Sequence, residues 1–269
     1  MRGHGTHRHF SFWSTCAKSD ANGPHAKVRF VLGVYASAVH ARWVSLANTK
    51  VVKALAVASE PSIFWRGDGA ESVISRIQMP KGLGRLLPAE RKFNGPSGIA
   101  LDELVLEPLG VERSDAWLCD LVPHSCVNAK QKAALTRAYD PLVQEFNLPG
   151  YSVPALPKPL ADAERRNEIL AELKTSRAKV LILLGDLPIR WFLSYFDSKW
   201  KRLADFGRDP LTYGRFHACT IDGAEYQVLP LCHPRQSAKL GESSEEWHRL
   251  HQEWCLKTAK EVREKVSNS

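Results

Sequence analysis

The sequence predicts an α/β fold of three layers, α/β/α, with a central four-stranded and mostly parallel sheet. Two observations predict this architecture. Four short apolar runs have the composition of strands that are buried on both faces. Segments with helical periodicity alternate with these runs, as parallel strands joined by helices require. With 269 residues, 44% of them hydrophobic, the chain can bury a core of its own.

The predicted strands are short, mainly apolar runs, and polar or turn-forming residues follow each of them. They comprise residues 28–33, 116–122, 179–184 and 226–232. An Asp222-Gly223 turn between residues 216–221 and 225–229 predicts a hairpin that leads into the last strand. Prolines within residues 149–159 predict a connecting loop.

Five segments have the apolar spacing of helices, and they cover residues 97–109, 129–146, 162–175, 188–196 and 243–266. Ser243 and Glu246 predict a capping box at the start of the last helix. Residues 1–27 are rich in histidine and polar residues and are predicted to be a flexible N-terminal arm. Residues 28–269 form the predicted domain.

The composition limits the possible partners and compartments. A formal charge of +8 suits a polyanionic partner such as DNA, although a basic excess also aids solubility alone. No apolar stretch approaches the roughly 18 residues that span a bilayer, so no membrane association is expected. Cys119 and Cys232 end apolar runs and are predicted to be buried, reduced thiols, which indicates the cytoplasm. No metal or nucleotide cofactor is expected, because neither metal-ligand spacing nor a phosphate-binding glycine loop is present. The protein is expected to be a monomer.

Polar residues follow all four predicted strands, where the carboxyl ends of parallel strands form a crevice. These segments are 33–37, Asp120 with 123–125, Gly185-Asp186, and 233–237. We therefore expect them to share one site.

Three segments resemble motifs of the uracil-DNA glycosylase superfamily, and most closely those of its iron-sulfur branch. Residues 92–98, followed by Leu101-Asp102, resemble the segment whose aromatic residue stacks on the flipped base. Residues 117–122 resemble the strand that ends in a base-reading asparagine, and residues 231–235 resemble the motif before the DNA-gripping loop. The turn at Gly33 takes the place of the first motif, so the resemblance covers about residues 28–255. The cluster cysteines have no counterpart at matching spacing, and no iron-sulfur cluster is predicted.

The resemblance implies a monofunctional DNA glycosylase, which flips a base out of DNA and hydrolyses its glycosidic bond. It implies stacking by Phe93, with Asn94 beside the base and with Phe64 or Trp65 as alternatives. It implies that His233 donates a hydrogen bond to the pyrimidine O2, where negative charge develops. Tyr35 stands where the best-known branch has a water-activating aspartate. DNA-binding roles are implied for Arg235, Gln236, Ser237 and Lys239, and Arg42 is a further candidate.

Asp120 stands where the family usually has asparagine. A carboxylate accepts hydrogen bonds and so suits the amino group of cytosine, and the small Ser37 leaves room at C5. The predicted substrate is therefore a 5-substituted cytosine, such as hydroxymethyl- or glucosylated cytosine of phage DNA, which would imply an antiphage role. Three alternatives remain open: a uracil or deaminated-base repair enzyme, a non-catalytic DNA-binding module, and a loop-capping role for Asp120.

Overall fold

The structure is a computed structural model that describes residues 29–79, 81–148, 150, 153–240 and 244–267. The predicted N-terminal arm, residues 1–27, lies outside the described residues. The described chain contains eight strands: β1 (Arg29–Tyr35), β2 (Ala38–Val44), β3 (Val51–Ser59), β4 (Arg85–Pro88), β5 (Ala116–Val122), β6 (Val180–Leu184), β7 (His217–Ile221) and β8 (Ala224–Leu231).

The larger sheet has five strands in the order β5-β1-β6-β8-β7. The first four are parallel to their neighbours, which confirms the predicted strands to within a few residues at their ends. The fifth, β7, pairs antiparallel with β8 across the predicted hairpin turn. The sheet therefore has five strands rather than the four predicted, and it is mixed.

A second, three-stranded antiparallel sheet has the order β3-β2-β4 and was not predicted. The alanines and the lysine of β3 are weak strand formers, and its strand state depends on pairing with β2 and on burial of its last five residues. The connection between β2 and β3 also lacks the two-residue turn that identifies a hairpin from sequence.

Helices lie between the strands, as an α/β architecture requires. They are α1 (Ala70–Ser75), α2 (Pro96–Leu101, continuing through Asp102–Leu106 and Glu107–Leu109), α3 (Ala129–Ala138), α4 (Asp140–Phe146), α5 (Ala163–Ser176), α6 (Asp186–Pro188, continuing through Ile189–Leu193 and Ser194–Phe196), α7 (Pro234–Ser237) and α8 (Glu245–Glu253, continuing through Trp254–Thr258 and Ala259–Ser267). The middle segments of α2, α6 and α8 have π-helical geometry. The arrangement is compatible with three layers.

Two predicted helix boundaries are wrong. The single helix predicted over residues 129–146 breaks at Tyr139, because Pro141 in the first turn of α4 has no backbone N–H to continue the hydrogen-bond ladder. Ser244 caps α8 by accepting a hydrogen bond from the Trp247 N–H at 3.3 Å. Ser243, the predicted cap, lies outside the described residues.

The buried apolar side chains form two clusters. One surrounds the five-stranded sheet and includes Cys119 and Cys232, which are free and buried as predicted. The other lies between the three-stranded sheet and helices α3 and α4. No helix in the described ranges has the length and apolar character needed to cross a membrane.

Candidate active site

A cavity of about 650 Å³ opens at the carboxyl ends of β1, β5, β6 and β8. This volume lies within the range of about 300–1,000 Å³ that is typical of small-molecule sites. Six residues predicted for the site line it: Tyr35, Ser37, Asp120, His233, Arg235 and Gln236. The segment that follows β3 adds Glu60 and Phe64.

Five other candidates do not line this cavity, and the structure gives most of them local roles. Asn94 is buried, and its amide spans the backbone of His40, accepting from the N–H at 2.8 Å and donating to the carbonyl at 3.0 Å. Phe93 lies at the end of a short 3-10 turn, with its ring 6.5 Å from that of His40. Both residues attach the 91–95 segment to the second sheet.

The remaining three candidates are Ser237, Lys239 and Arg42. The Ser237 hydroxyl is buried and donates to the Pro234 carbonyl, which stabilises the short helix α7. The Lys239 ammonium pairs with Glu245 at 2.8 Å. Arg42 is exposed on β2.

Phe64 occupies the wall of the cavity. Its side chain is 6% exposed, and its ring centroid lies 6.3 Å from that of His233 with the planes tilted by 34°. The backbone φ of Phe64 is +52°, a left-handed conformation that costs a bulky residue about 1–2 kcal/mol. Such strain persists where the surroundings hold it, and it clusters at functional sites.

The segment that resembles the base-stacking motif, residues 92–98 with Leu101-Asp102, packs against the backbone of Phe64. A Cβ on Gly98 would lie 2.1 Å from the Phe64 carbonyl oxygen, so only glycine permits this approach. Arg113 donates to the same carbonyl and also pairs with Asp102. Gly98 and Asp102 thus position Phe64, and the Phe93 ring itself stays outside the cavity.

His233 follows β8 and caps the short helix α7. Its Nδ1 accepts a hydrogen bond from the Arg235 N–H at 3.2 Å. Burial, with a smaller effect of Arg235, lowers the pKa of His233 to about 4. The ring is therefore neutral near pH 7, and because Nδ1 is the acceptor, Nε2 carries the proton and can donate to a ligand.

A buried network supports the backbone just before His233. The Cys232 N–H donates to the Tyr213 hydroxyl at 2.9 Å, and that hydroxyl lies 2.7 Å from His251 Nδ1. His251 Nε2 lies 2.7 Å from the Leu104 carbonyl oxygen in α2. The network connects α2, α8 and the end of β8, which limits the movement of His233.

Asp120 lies near the end of β5 and is 2% exposed. Its Oδ1 has no hydrogen-bond partner within the part of the chain that the structure describes. Burial raises the pKa of Asp120 well above its usual value, and the charge of Glu60 raises it further. Burial therefore favours the protonated form of Asp120, and in that form the carboxyl group both donates and accepts.

Glu60 directly follows β3 and is 3% exposed. Its Oε2 accepts a hydrogen bond from the Ser37 N–H at 3.1 Å. Burial raises the pKa of Glu60 to about 8, although the bond from Ser37 and the charge of Arg113 act in the opposite direction. Sequence reasoning missed this residue because β3 was not recognised as a strand, and so its polar end could not be placed.

Tyr35 lines the cavity at the end of β1, and its hydroxyl accepts a hydrogen bond from Asn128 Nδ2 at 3.3 Å. Asn128 also caps α3 by accepting from the Gln131 N–H at 2.9 Å. The Tyr35 hydroxyl is thereby held with its own proton available to a ligand.

Three exposed basic side chains line the cavity: Lys130, Arg190 and Arg235. Only Arg235 was predicted. Lys130 and Arg190 belong to the first turns of helices that follow polar strand ends, and that position is the signal that could have identified them.

The site contains acids, amides and an imidazole, but no obvious metal-binding set. Within the described ranges, no group of three or more His, Cys, Asp or Glu residues is placed to hold a metal ion. No family model matches the chain, and no curated protein sequence matches it.

Proposed function

We propose that this protein is a monofunctional DNA glycosylase of the uracil-DNA glycosylase type, which releases a modified pyrimidine and leaves an abasic site. The observation that carries the proposal is the cavity in which a neutral His233, the buried acid Asp120 and the strained Phe64 lie together. A base inside a duplex cannot be reached, so an enzyme of this kind extrudes it into such a pocket.

Each group has a role in this reaction. The aromatic ring of Phe64 offers a stacking surface for the flipped base. The carboxyl group of Asp120 forms hydrogen bonds with the polar edge of the flipped base. When the C1′–N1 bond breaks, its electron pair moves into the pyrimidine, and the Nε2–H of His233 stabilises the negative charge on O2. The oxygen of a water molecule forms the new bond to C1′, and the proton that this water loses neutralises the departing base anion.

The substrate class that we propose is a 5-substituted cytosine, such as a hydroxymethylated or glucosylated base of phage DNA, which would make antiphage defence the biological role. A cavity of about 650 Å³ leaves space beside a single pyrimidine ring, and Ser37 is a small residue in its lining. Uracil is a second candidate. The protonated form of a carboxyl group donates to O4 and accepts from N3–H, and the raised pKa of Asp120 favours that form.

The test is a screen of DNA duplexes that each carry one test base: uracil, cytosine, 5-hydroxymethylcytosine or its glucosylated form. After incubation, alkali cleaves any abasic site. We expect strand cleavage for at least one modified base. Binding that leaves every duplex alkali-resistant would instead identify a non-catalytic DNA-binding module.

Replacing Phe64 with leucine is expected to weaken capture of the flipped base by about 1–3 kcal/mol, because leucine keeps the apolar volume but has no aromatic face. The measurement is the affinity for a duplex with one unpaired test base relative to a fully paired duplex. Phe93→Leu is the matched control and should leave this difference unchanged. The opposite result would return the stacking role to Phe93.

Replacing Lys130 or Arg190 with alanine is expected to reduce the salt dependence of DNA affinity. Each side chain that contacts a phosphate contributes about −0.9 to the slope of log K against log salt concentration. Lys257→Ala removes an exposed lysine on α8 that does not line the cavity, and it should leave the slope unchanged. Equal slopes for all four proteins would contradict phosphate binding at the cavity mouth.

A further inference from the structure

Two carboxyl groups, those of Glu60 and Asp120, lie in the buried lining of the cavity. They come from different sheets, since Glu60 follows β3 and Asp120 lies in β5. They are close enough for the charge of Glu60 to act on Asp120. Each of the two carboxyl-bearing residues is less than a twentieth exposed, and burying such groups reduces the stability of the fold. Their presence in the cavity lining therefore indicates a functional role.

The environment of the pair indicates that a ligand completes it. Asp120 Oδ1 is buried and has no hydrogen-bond partner among the described residues, although nearly all buried polar atoms in folded proteins have one. A Cβ on Gly33 would lie 2.3 Å from this oxygen and 2.6 Å from the Phe64 ring, so the glycine lets all three groups meet. The free oxygen therefore lies beside the proposed stacking surface.

The backbone around Glu60 is held firmly. Glu60 Oε2 accepts from the Ser37 N–H at 3.1 Å, and the Glu60 N–H donates to the Ser125 hydroxyl at 3.3 Å. The Ser125 hydroxyl in turn donates to the Ser37 carbonyl. The carboxyl group of Glu60 is thus fixed beside Ser37 in the lining of the cavity.

We propose that Glu60 is a specificity-determining residue, which together with Asp120 selects a pyrimidine with an amino group at position 4 over one with a carbonyl group there. This inference rests on the proposed function. The amino group of cytosine has two N–H bonds, one directed to the N3 side and one to the C5 side. Asp120 accepts the first and Glu60 the second. In uracil the same two directions hold lone pairs of O4. The ionised carboxylate of Glu60 faces them without a proton between, so we expect the preference to be strongest above pH 8, where Glu60 has lost its proton.

Glu60→Gln tests the proposal, because it keeps an acceptor for the Ser37 N–H and replaces the other oxygen with an N–H donor. The substrates are DNA duplexes that each carry one test base, and they are compared in two sets whose members have the same group at C5. The first set contains cytosine and uracil, and the second contains 5-hydroxymethylcytosine and 5-hydroxymethyluracil. Single-turnover release and equilibrium affinity are measured for each at pH 9, where Glu60 is ionised. We expect wild type to favour the amino member and the ratio to fall by about 10- to 100-fold in the variant.

Two further variants separate this role from a structural one. Ser125→Ala loosens the same corner but keeps the carboxyl group, so the ratio should not change. Glu60→Asp keeps a carboxyl group and should preserve the sign of the preference. A Glu60→Gln variant that loses release of every base equally, with an unchanged ratio, would make Glu60 a water-activating group and overturn the proposal.

The two readouts also separate this inference from the proposed function. If wild type releases no base but Glu60→Gln changes the affinity ratio, the glycosylase activity fails and the selective role of Glu60 stands. If wild type releases bases and neither ratio changes in the variant, the selective role alone is overturned. If wild type neither releases a base nor distinguishes the matched pairs, both are overturned.

Discussion

Replacing His233 with alanine is expected to slow base release by about 10²–10³-fold while DNA affinity changes little. The hydrogen bond from Nε2 strengthens only as charge develops on the departing base, so its loss affects the transition state more than the bound ground state. The measurement is the single-turnover rate together with the dissociation constant for the same duplex.

His124→Ala is the control for this variant, because His124 is exposed and does not line the cavity. It should behave as wild type. A His233→Ala protein that loses affinity and rate by the same factor would indicate that His233 serves chiefly to cap α7 and shape the loop.

Replacing Glu60 with glutamine is expected to make the folded protein more stable above neutral pH. The pKa of Glu60 is about 8 in the folded state against a usual 4.5, so between these values the folded state keeps a proton that the unfolded state releases. Wild type should therefore lose stability as the pH rises through this window, by about 5 kcal/mol in total. Glutamine has no proton to release and avoids this loss.

The measurement is urea unfolding of both proteins at pH 5 and at pH 8.5. The free energies of unfolding should be similar at pH 5 and should diverge at pH 8.5, with the variant more stable. Contributions from His233 and His251, whose pKa values are lowered to about 4, act below pH 6.5 and are common to both proteins. Glu71→Gln, at an exposed site on α1, should show no divergence. Parallel pH profiles for wild type and Glu60→Gln would contradict the burial of an ionisable Glu60.

The parts of the site that lie on the parallel strands could be predicted from the sequence. Apolar runs locate buried strands, and the geometry of parallel sheets brings their carboxyl ends together, which is why Tyr35, Asp120 and His233 line one cavity. The raised pKa of Asp120 could not be predicted in this way. It depends on burial and on the nearby Glu60, and these are properties of the folded chain.

The parts contributed by the second sheet escaped prediction for a different reason. The strand state of β3 depends on its partners more than on its residues, so Glu60 could not be assigned to the cavity, and Phe64 was only an alternative stacking candidate. Phe93 was the first stacking candidate because it lies in the segment that resembles the base-stacking motif, next to a glycine-containing turn. In the fold that turn packs against the backbone of Phe64, and the aromatic ring that reaches the cavity belongs to the neighbouring segment.

The two sheets contribute different groups to one cavity, and this separation affects how the site can evolve. The five-stranded sheet supplies His233, to which we assign the role in bond cleavage under the proposed function, whereas the segment after the three-stranded sheet supplies Glu60 and Phe64. Under the proposed function, mutations in residues 60–64 are expected to change which base is accepted while the groups proposed for bond cleavage stay in place. Natural selection for a different target base can then act on residues 60–64 alone. Directed evolution of base selectivity can begin with the same residues.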